Sequence, residues 1–270
     1  MKLSSFLLLA GVLSLPLLSC NKTASSGGSR AAYLQVMLTD GPATYDAVYI
    51  DIRQVEVNAS ADSNASDSGA ASGWQTVPLV RPGVYNLLDF RNGVDTILAA
   101  ADLPAGKLSQ VRLILGDSNS VVTAGQSYPM KTPSAQESGL KLNFDATLTA
   151  GIDYKLWIDF DASRSIVETG NGKFILKPVL RAYSEAIGGS IKGFALPGSA
   201  MPEVWAIQGA DTMLALADTT TGYYFFGGVN PGSWNLLFQP RDTTFADTSA
   251  MVNVSTGIVT DAGTMTLRPK

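Results

Sequence analysis

The chain has 270 residues, of which 46% are hydrophobic and 16% are charged, with a formal net charge of −4 at pH 7. These values indicate a globular protein with room for two ordinary domains, and an acidic chain argues against nucleic-acid binding, which needs basic patches. Histidine is absent, which excludes Ser-His-Asp and Cys-His catalysis and His-ligated metals. Cys20 is the only cysteine, so no intrachain disulfide can form. We therefore predict a protein that is not an enzyme.

The first twenty residues predict a lipoprotein signal peptide. Lys2 precedes an apolar run from Phe6 to Leu18, which has the length of a signal h-region. The run ends in Leu17-Leu18-Ser19-Cys20, which resembles the bacterial lipobox, in which the cysteine is acylated and becomes the mature N-terminus. The alternative is a plain secretory signal with an incidental cysteine. We predict lipidation of Cys20 and anchoring to the membrane through that lipid.

The tether after the cysteine bears on localisation. Residues 21–30 are rich in Ser, Gly and Thr, which is typical of a flexible linker. Asn21 follows the cysteine, and by analogy with lipoprotein sorting this favours the outer membrane. The tether lacks the acidic residues that often mark surface export. We therefore favour the periplasmic face over the cell surface.

Residues 31–186 predict an N-terminal β domain with one short helix. The first strand is Tyr33 to Leu38, and the apolar alternation of the second changes phase at Arg53-Gln54, which indicates a β-bulge. Residues 58–73 are almost purely small and polar, which predicts an exposed loop. Residues 94–101 have apolar positions at helical spacing and predict the short helix. Phe174 to Tyr183 predicts one long strand, with Pro178 at an edge or a bulge.

The densest alternation lies between Leu140 and Phe160 and predicts a β-hairpin. Thr149-Ala150-Gly151 fits a three-residue hairpin loop. Folding there would pair Lys141 with Asp159, Asn143 with Trp157 and Leu140 with Phe160. In this one register the apolar residues pair on one face and oppositely charged residues pair on the other. Trp157 would point outward beside Asn143, as a stacking platform for a ligand or as a ring covered by another part of the chain.

The acidic residues are the remaining candidates for chemistry. Asp159 and Asp161 lie two residues apart on one strand face, and Asp40 and Asp46 could add ligands from the first hairpin. Clustered carboxylates favour calcium, so we predict a candidate calcium site at these four residues, with no other cofactor. The alternative is ordinary ion pairs and turn caps. A carboxylate pair of the glycosidase type is a distant third interpretation.

Residues 188–270 predict a second, smaller β-sandwich, because short strands alternate with Gly and Pro turns. The predicted strands are Ser190–Phe194, Val204–Gln208, Met213–Ala217, Tyr223–Phe226, Ser233–Gln239, Met251–Val254 and Gly263–Leu267. The fold class is therefore mainly β, with two β-sandwich-like domains.

Several motifs in the N-terminal part resemble one family. They are Val36-Met37-Leu38-Thr39-Asp40-Gly41-Pro42-Ala43, Asn92-Gly93-Val94-Asp95-Thr96, Gln110-Val111-Arg112-Leu113-Ile114-Leu115-Gly116 and Asp159-Phe160-Asp161-Ala162-Ser163-Arg164-Ser165. Together they resemble the Bacteroidetes-type lipoproteins of domain of unknown function 4382 (DUF4382), over about residues 33–183. The resemblance implies an envelope lipoprotein and no particular activity.

The C-terminal part resembles another module. Asp218-Thr219-Thr220-Thr221-Gly222-Tyr223, followed by Pro231-Gly232-Ser233-Trp234, is similar to the carboxypeptidase-regulatory, prealbumin-like module. This resemblance implies an accessory or spacer unit without catalytic residues.

Three functions remain open at this point. The leading hypothesis is a lipid-anchored, non-catalytic binding or scaffold module of the cell envelope, with a glycan or an envelope protein as partner. The alternative is a structural or adhesive fimbria-like subunit that donates a strand to a neighbour after trimming near Arg30. A carboxylate-dependent hydrolase is the distant alternative.

Overall fold

The computed structural model of the chain describes residues 31–60, 73–132, 139–185 and 188–270. The predicted signal peptide, Cys20, the tether and most of the predicted loop at 58–73 lie outside these residues. No helix in the described ranges is long and apolar enough to cross a bilayer.

The described residues up to Tyr183 form thirteen strands and one short α-helix. The strands are β1 (Ala32–Gly41), β2 (Ala47–Ser60), β3 (Trp74–Val77), β4 (Gly83–Asn86), β5 (Thr96–Leu103), β6 (Gly106–Leu115), β7 (Ser120–Thr123), β8 (Gln126–Lys131), β9 (Leu140–Leu148), β10 (Asp153–Asp161), β11 (Ile166–Glu168), β12 (Phe174–Leu176) and β13 (Leu180–Tyr183). The helix is α1 (Ala162–Ser165), and a 3-10 helix spans Leu87–Phe90.

These strands form two sheets that enclose one apolar core. The smaller sheet has the order β13-β10-β1-β5, with β1 and β10 parallel. The larger sheet has the order β11-β12-β8-β7-β2-β6-β9, and β3 and β4 also pair with β2. Leu34, Val36 and Leu38 of β1 and Val55 and Val57 of β2 are buried between the sheets. The predicted first strand is confirmed, and so is the bulge at Arg53-Gln54, where the register of β2 against β6 shifts.

The predicted hairpin between Leu140 and Phe160 is wrong in its pairing. Both strands exist, as β9 and β10, and the loop has Gly151 at φ 78°. However, β9 pairs with β6 in the larger sheet, whereas β10 pairs with β1 and β13 in the smaller one. The connection is therefore an arch between facing sheets. Phe144, Ile158 and Phe160 are buried as predicted, because the two apolar faces meet across the core.

The predicted helix at 94–101 is also wrong, because this segment is strand β5. It pairs antiparallel with β1, and a register shift at Val36/Met37 leaves Leu98 as an extra residue between paired Ile97 and Ala99. The bulge buries both Leu98 and Ala99. The short helix of this part of the chain is instead α1, which Asp161 caps by accepting a hydrogen bond from the Arg164 backbone N–H.

The predicted long strand from Phe174 to Tyr183 is two strands in different sheets. β12 joins the larger sheet and β13 the smaller one. Pro178 lies between them, where the chain crosses. Proline offers no N–H to a ladder, which agrees with a break at this position.

The C-terminal part forms a second sandwich, and all seven predicted strands are confirmed. They are β14 (Gly189–Leu196), β15 (Pro202–Gln208), β16 (Asp211–Leu216), β17 (Tyr223–Val229), β18 (Gly232–Pro240), β19 (Thr248–Val254) and β20 (Val259–Thr266). The sheet orders are β17-β14-β20 and β16-β15-β18-β19. Trp234, Tyr224 and Phe238 fill its separate core. The protein is therefore mainly β, with two sandwich-like units.

Candidate functional site

A cleft of about 620 Å³ lies where the two sandwich units meet. The N-terminal unit contributes the ends of β1 and β10, α1 and β13. The C-terminal unit contributes Trp205, the first part of β16 and part of β17. The volume is in the range of small-ligand and peptide sites, which makes this cleft the candidate site.

The parallel pairing of β1 and β10 explains why acidic residues meet in the cleft. Thr39 lies opposite Asp159 and Gly41 opposite Asp161 in the register, so the carboxyl ends of both strands coincide. Asp40, Asp159 and Asp161 all line the cleft. Sequence analysis placed Asp40 in one candidate site with Asp159 and Asp161, and the structure brings it there through the long-range parallel pair of β1 and β10.

Burial perturbs the carboxyl group of Asp40. Its side chain is buried, and Oδ1 accepts a hydrogen bond from the backbone N–H of Ala162 at 3.1 Å. Oδ2 is buried and has no hydrogen-bond partner among the residues that the structure describes. Burial, followed by repulsion from Asp159, raises the pKa of the Asp40 carboxyl well above its usual range.

Asp159 is part of a polar connection between the two units. Its Oδ2 accepts a hydrogen bond from Arg181 Nε at 2.7 Å, while Oδ1 is buried without a partner. Arg181 also donates to the carbonyl oxygens of Gly227, at 2.8 Å, and Gly228, at 3.2 Å. Arg181 of the first unit is therefore bonded to the backbone of the second. Sequence analysis missed it, because the motif Leu180-Arg181 has no pattern that marks a long-range pair.

Two further groups complete the polar wall of the cleft. Asp161 accepts hydrogen bonds from Ser163 Oγ at 2.7 Å and from the Arg164 backbone N–H at 3.0 Å. The indole Nε1 of Trp205 is buried without an acceptor. Asp40, Asp159 and Trp205 line the cleft, and they hold two carboxylate oxygens and one N–H donor that are buried and that no described protein group satisfies. Such groups are costly unless a ligand or water pairs with them.

The structure brings together three of the four residues of the predicted calcium site. Asp46 lies apart, is exposed, and accepts a hydrogen bond from the Gly125 N–H at 2.9 Å. Within the described ranges, no group of three or more acidic, His or Cys side chains is arranged to hold a metal ion. Calcium binding stays a prediction: Asp40, Asp159 and Asp161 line the same cleft but do not form such a group.

The predicted platform of Trp157 and Asn143 is not assembled, because the arch puts the two residues on opposite outer faces of the sandwich. Trp157 stacks on Tyr183 with ring centroids 5.6 Å apart and donates from Nε1 to Asp95 Oδ2 at 2.7 Å. Asn143 is exposed and accepts from Gln110 Nε2. Trp157 and Tyr183 line a second, smaller cleft of about 140 Å³ against the C-terminal unit. Trp157 is thus partly covered by another part of the chain, which was the alternative interpretation.

The fold and the cleft define a protein of two β-sandwich-like units with an acidic cleft between them. The chain belongs to the family described as Domain of unknown function (DUF4382), whose model matches residues 31–178. A search of curated proteins found no significant match.

Several solved structures share a distant likeness with the chain. The Bacillus anthracis TIE protein is 7% identical, with 84% of this chain and 35% of that chain covered and a TM-score of 0.26. This chain therefore spans about a third of the length of that protein. The shaft pilin spaA from Lactobacillus rhamnosus GG is 8% identical, with coverages of 89% and 97% and a TM-score of 0.24. GBS52, the minor pilin of Streptococcus agalactiae, is 10% identical, with coverages of 87% and 96% and a TM-score of 0.24.

Proposed function

We propose that this protein is a lipid-anchored lipoprotein of the bacterial outer membrane that acts as a non-catalytic binding or scaffold module. The cleft between its two units is the recognition site, and its ligand is a glycan or a protein of the envelope. Cys20 at the end of a signal-like apolar run supports the anchor, and Asn21 supports the outer membrane. The C-terminal unit is an accessory module that completes the cleft.

One observation carries the binding role. Asp40 and Asp159 are 6% and 8% exposed, line the cleft of about 620 Å³, and each keeps a buried carboxylate oxygen without a partner among the described residues. Buried polar groups in native proteins are nearly always paired. A bound partner that donates hydrogen bonds would satisfy these oxygens, which is the reason to place recognition here.

Binding is better supported than catalysis. A raised pKa at Asp40 beside a second carboxylate is the pattern of an acid–base pair, and this favours a hydrolase as a second candidate. However, Asp159 is held by Arg181, whose guanidinium is committed to two carbonyl oxygens of the second unit. Arg181 thus holds the Asp159 carboxylate in the contact between the two units. A carboxylate held in this way is poorly placed to act as a nucleophile or a base.

The strand-donating subunit remains a further candidate because of β16. This strand pairs with β15 along one side, and no described strand pairs with its other side. Polymers that form after trimming near Arg30 would favour this role, whereas a trimmed protein that stays monomeric would exclude it.

The anchor and the cleft are tested separately. Cys20→Ala is expected to abolish acyl labelling and to move the protein from the outer-membrane fraction to the soluble one.

For the cleft, the chain from residue 20 onward, carrying Cys20→Ser, is immobilised and exposed to envelope protein and glycan preparations. We expect saturable capture that Asp40→Asn weakens and that Asp46→Asn, the same substitution outside the cleft, does not. The absence of saturable capture from every preparation would refute the binding role, and turnover of a glycoside would support the hydrolase.

A further inference from the structure

We infer that the cleft receives a lysine side chain presented by an extended segment of a partner protein, and that this segment pairs with the free edge of β16. The inference rests on the proposed function and specifies the chemistry of its ligand. Four observations support it: the charge of the cleft, its aromatic wall, the open strand edge and the unpaired indole N–H.

The charge of the cleft favours a cation. Asp40, Asp159, Asp161 and Asp211 line it, against the two cations Arg164 and Arg181. Arg181 is already bonded to Asp159 and to two carbonyl oxygens, and Arg164 lies 3.8 Å from Asp161. The oxygens without partners belong to Asp40 and Asp159 and are buried, so a ligand in the cleft reaches them when the carboxyl groups rotate about their terminal torsions, which are broad for aspartate. An entering ammonium group offers three N–H donors to these oxygens, and its positive charge would favour the ionised form of Asp40, so that Asp40 gives up its proton as the ammonium group binds.

The apolar part of the wall favours an ammonium group on an alkyl stem. Tyr183, Trp205 and Phe225 line the same cleft, together with Leu180 and Met213. A lysine side chain packs its methylene groups against such surfaces while its charged end reaches the carboxylates. Aromatic rings also attract the cation itself. A metal ion fits this wall poorly, because calcium takes six to eight oxygen ligands.

The strand edge favours a protein as the source of the lysine. Residues Asp211 to Leu214 of β16 line the cleft, and β16 is the edge of the sheet β16-β15-β18-β19. An exposed edge presents backbone N–H and C=O groups that an extended peptide can pair with. Trp205 lies opposite Leu214 in the register, and its unpaired N–H suits a carbonyl oxygen of such a peptide. A glycan would leave the backbone edge unused.

The test uses the chain from residue 20 onward with Cys20→Ser, labelled with ¹⁵N. The protein has four tryptophans, so four indole N–H signals report on four places, and Trp205→Phe assigns the signal at the cleft. The probe is the acetylated, amidated peptide Thr-Val-Lys-Val-Thr. The matched probes carry norleucine or Nε-acetyl-lysine in place of lysine, and n-butylammonium tests the cation without the strand.

We expect the lysine peptide to shift the Trp205 signal saturably while the Trp74 and Trp234 signals stay in place. Loss of the ammonium charge, in either matched probe, should weaken binding about tenfold or more, which corresponds to one charged hydrogen bond. Asp40→Asn should have a similar effect, and Asp46→Asn should change the affinity by less than about twofold. n-Butylammonium alone should bind more weakly than the lysine peptide, because it cannot pair with β16.

Several outcomes would overturn the inference. They are the absence of a saturable shift with the lysine peptide, equal binding of the norleucine peptide, and displacement of the Trp205 signal by Ca²⁺ alone at lower concentration. If the lysine peptide fails while an envelope preparation still binds in a manner sensitive to Asp40→Asn, only the ligand chemistry is wrong. If neither binds, the proposed function fails as well. Unchanged far-UV circular dichroism and Trp234 signals establish that each variant is folded.

Discussion

Replacing Asp40 with asparagine should change how the stability of the protein depends on pH. Asp40 is buried, and burial together with the charge of Asp159 raises the pKa of its carboxyl above the usual value of 3.8. The native state therefore keeps a proton on Asp40 at pH values where the unfolded chain has already lost it. Asparagine has nearly the same shape and stays neutral at every pH, so the variant removes this titration with little change in packing.

The sign and size of the effect follow from proton linkage. A raised native pKa contributes stability below pH 3.8, and this stability is lost as pH rises toward the native pKa. Each pH unit inside that window lowers the free energy of unfolding by about 1.4 kcal/mol for one fully shifted group. The free energy of unfolding of Asp40→Asn minus that of the original chain should therefore grow with pH, and then level off above the native pKa.

Urea denaturation at intervals between pH 4 and pH 8 measures this difference, with tryptophan fluorescence and circular dichroism followed together. Asp46→Asn is the matched control, because it removes one carboxylate from an exposed position. If the original chain and Asp40→Asn lose or gain stability in parallel over the whole range, Asp40 is not held neutral by the fold. The argument for an unsatisfied acidic group in the cleft would then be wrong.

Two further substitutions test the contact between the units by urea denaturation. Arg181→Ala leaves Asp159 buried without its cation and should cost about 1–3 kcal/mol. Arg241→Ala is the control, because the Arg241 side chain is equally exposed at 38% but pairs with Glu203, which is more exposed than Asp159. This control should cost about 0–1 kcal/mol. Equal losses would show that Arg181 and Asp159 form an ordinary surface ion pair. Gly228→Ala adds a Cβ 2.2 Å from Tyr183 Cγ at φ +61°, whereas Gly209→Ala adds one in open space at φ +60°. The first should therefore cost about 1–3 kcal/mol more than the second, and equal costs would refute the close packing of Tyr183.

The C-terminal unit was predictable strand by strand, and the reason is local. Its strands are short, and Gly and Pro residues mark the turns between them, so that each strand end can be identified from residues next to it in the sequence. Ala206 and Leu236 follow the simple alternation of buried and outward positions. The sequence pattern and the tertiary structure agree because both sheets have one clearly buried face.

The N-terminal unit was less predictable, because long-range pairing overrides its local patterns. The helical spacing of residues 94–101 came partly from Val94 and Ile97, which are exposed in the structure. The bulge at Leu98 interrupts the period-two alternation that would have marked β5 as a strand. The cleft depends on even longer separations. Asp40 meets Ala162 only because β1 pairs with the distant β10 inside the first unit, and Arg181 meets Gly227 only where the two units touch. No periodicity within one strand carries this information.

The arch between β9 and β10 can be tested directly, and the test separates it from the predicted hairpin. Alternation cannot distinguish the two, because either connection turns both apolar faces inward. In the structure Asn143 lies opposite Gln110 in an antiparallel pair. Cα atoms of residues paired in this way are typically about 4.5–5.5 Å apart, which suits a disulfide. In the hairpin register Asn143 would instead lie opposite Trp157. Both tests use a chain in which Cys20 is replaced by Ser. The pair Asn143→Cys and Gln110→Cys should cross-link on mild oxidation. The pair Asn143→Cys and Trp157→Cys should not, because facing sheets lie about 10 Å apart and these two side chains point away from each other. Peptide mapping by mass spectrometry identifies the bond, and cross-linking of the second pair alone would restore the hairpin and break up the sheet order on which the cleft is built.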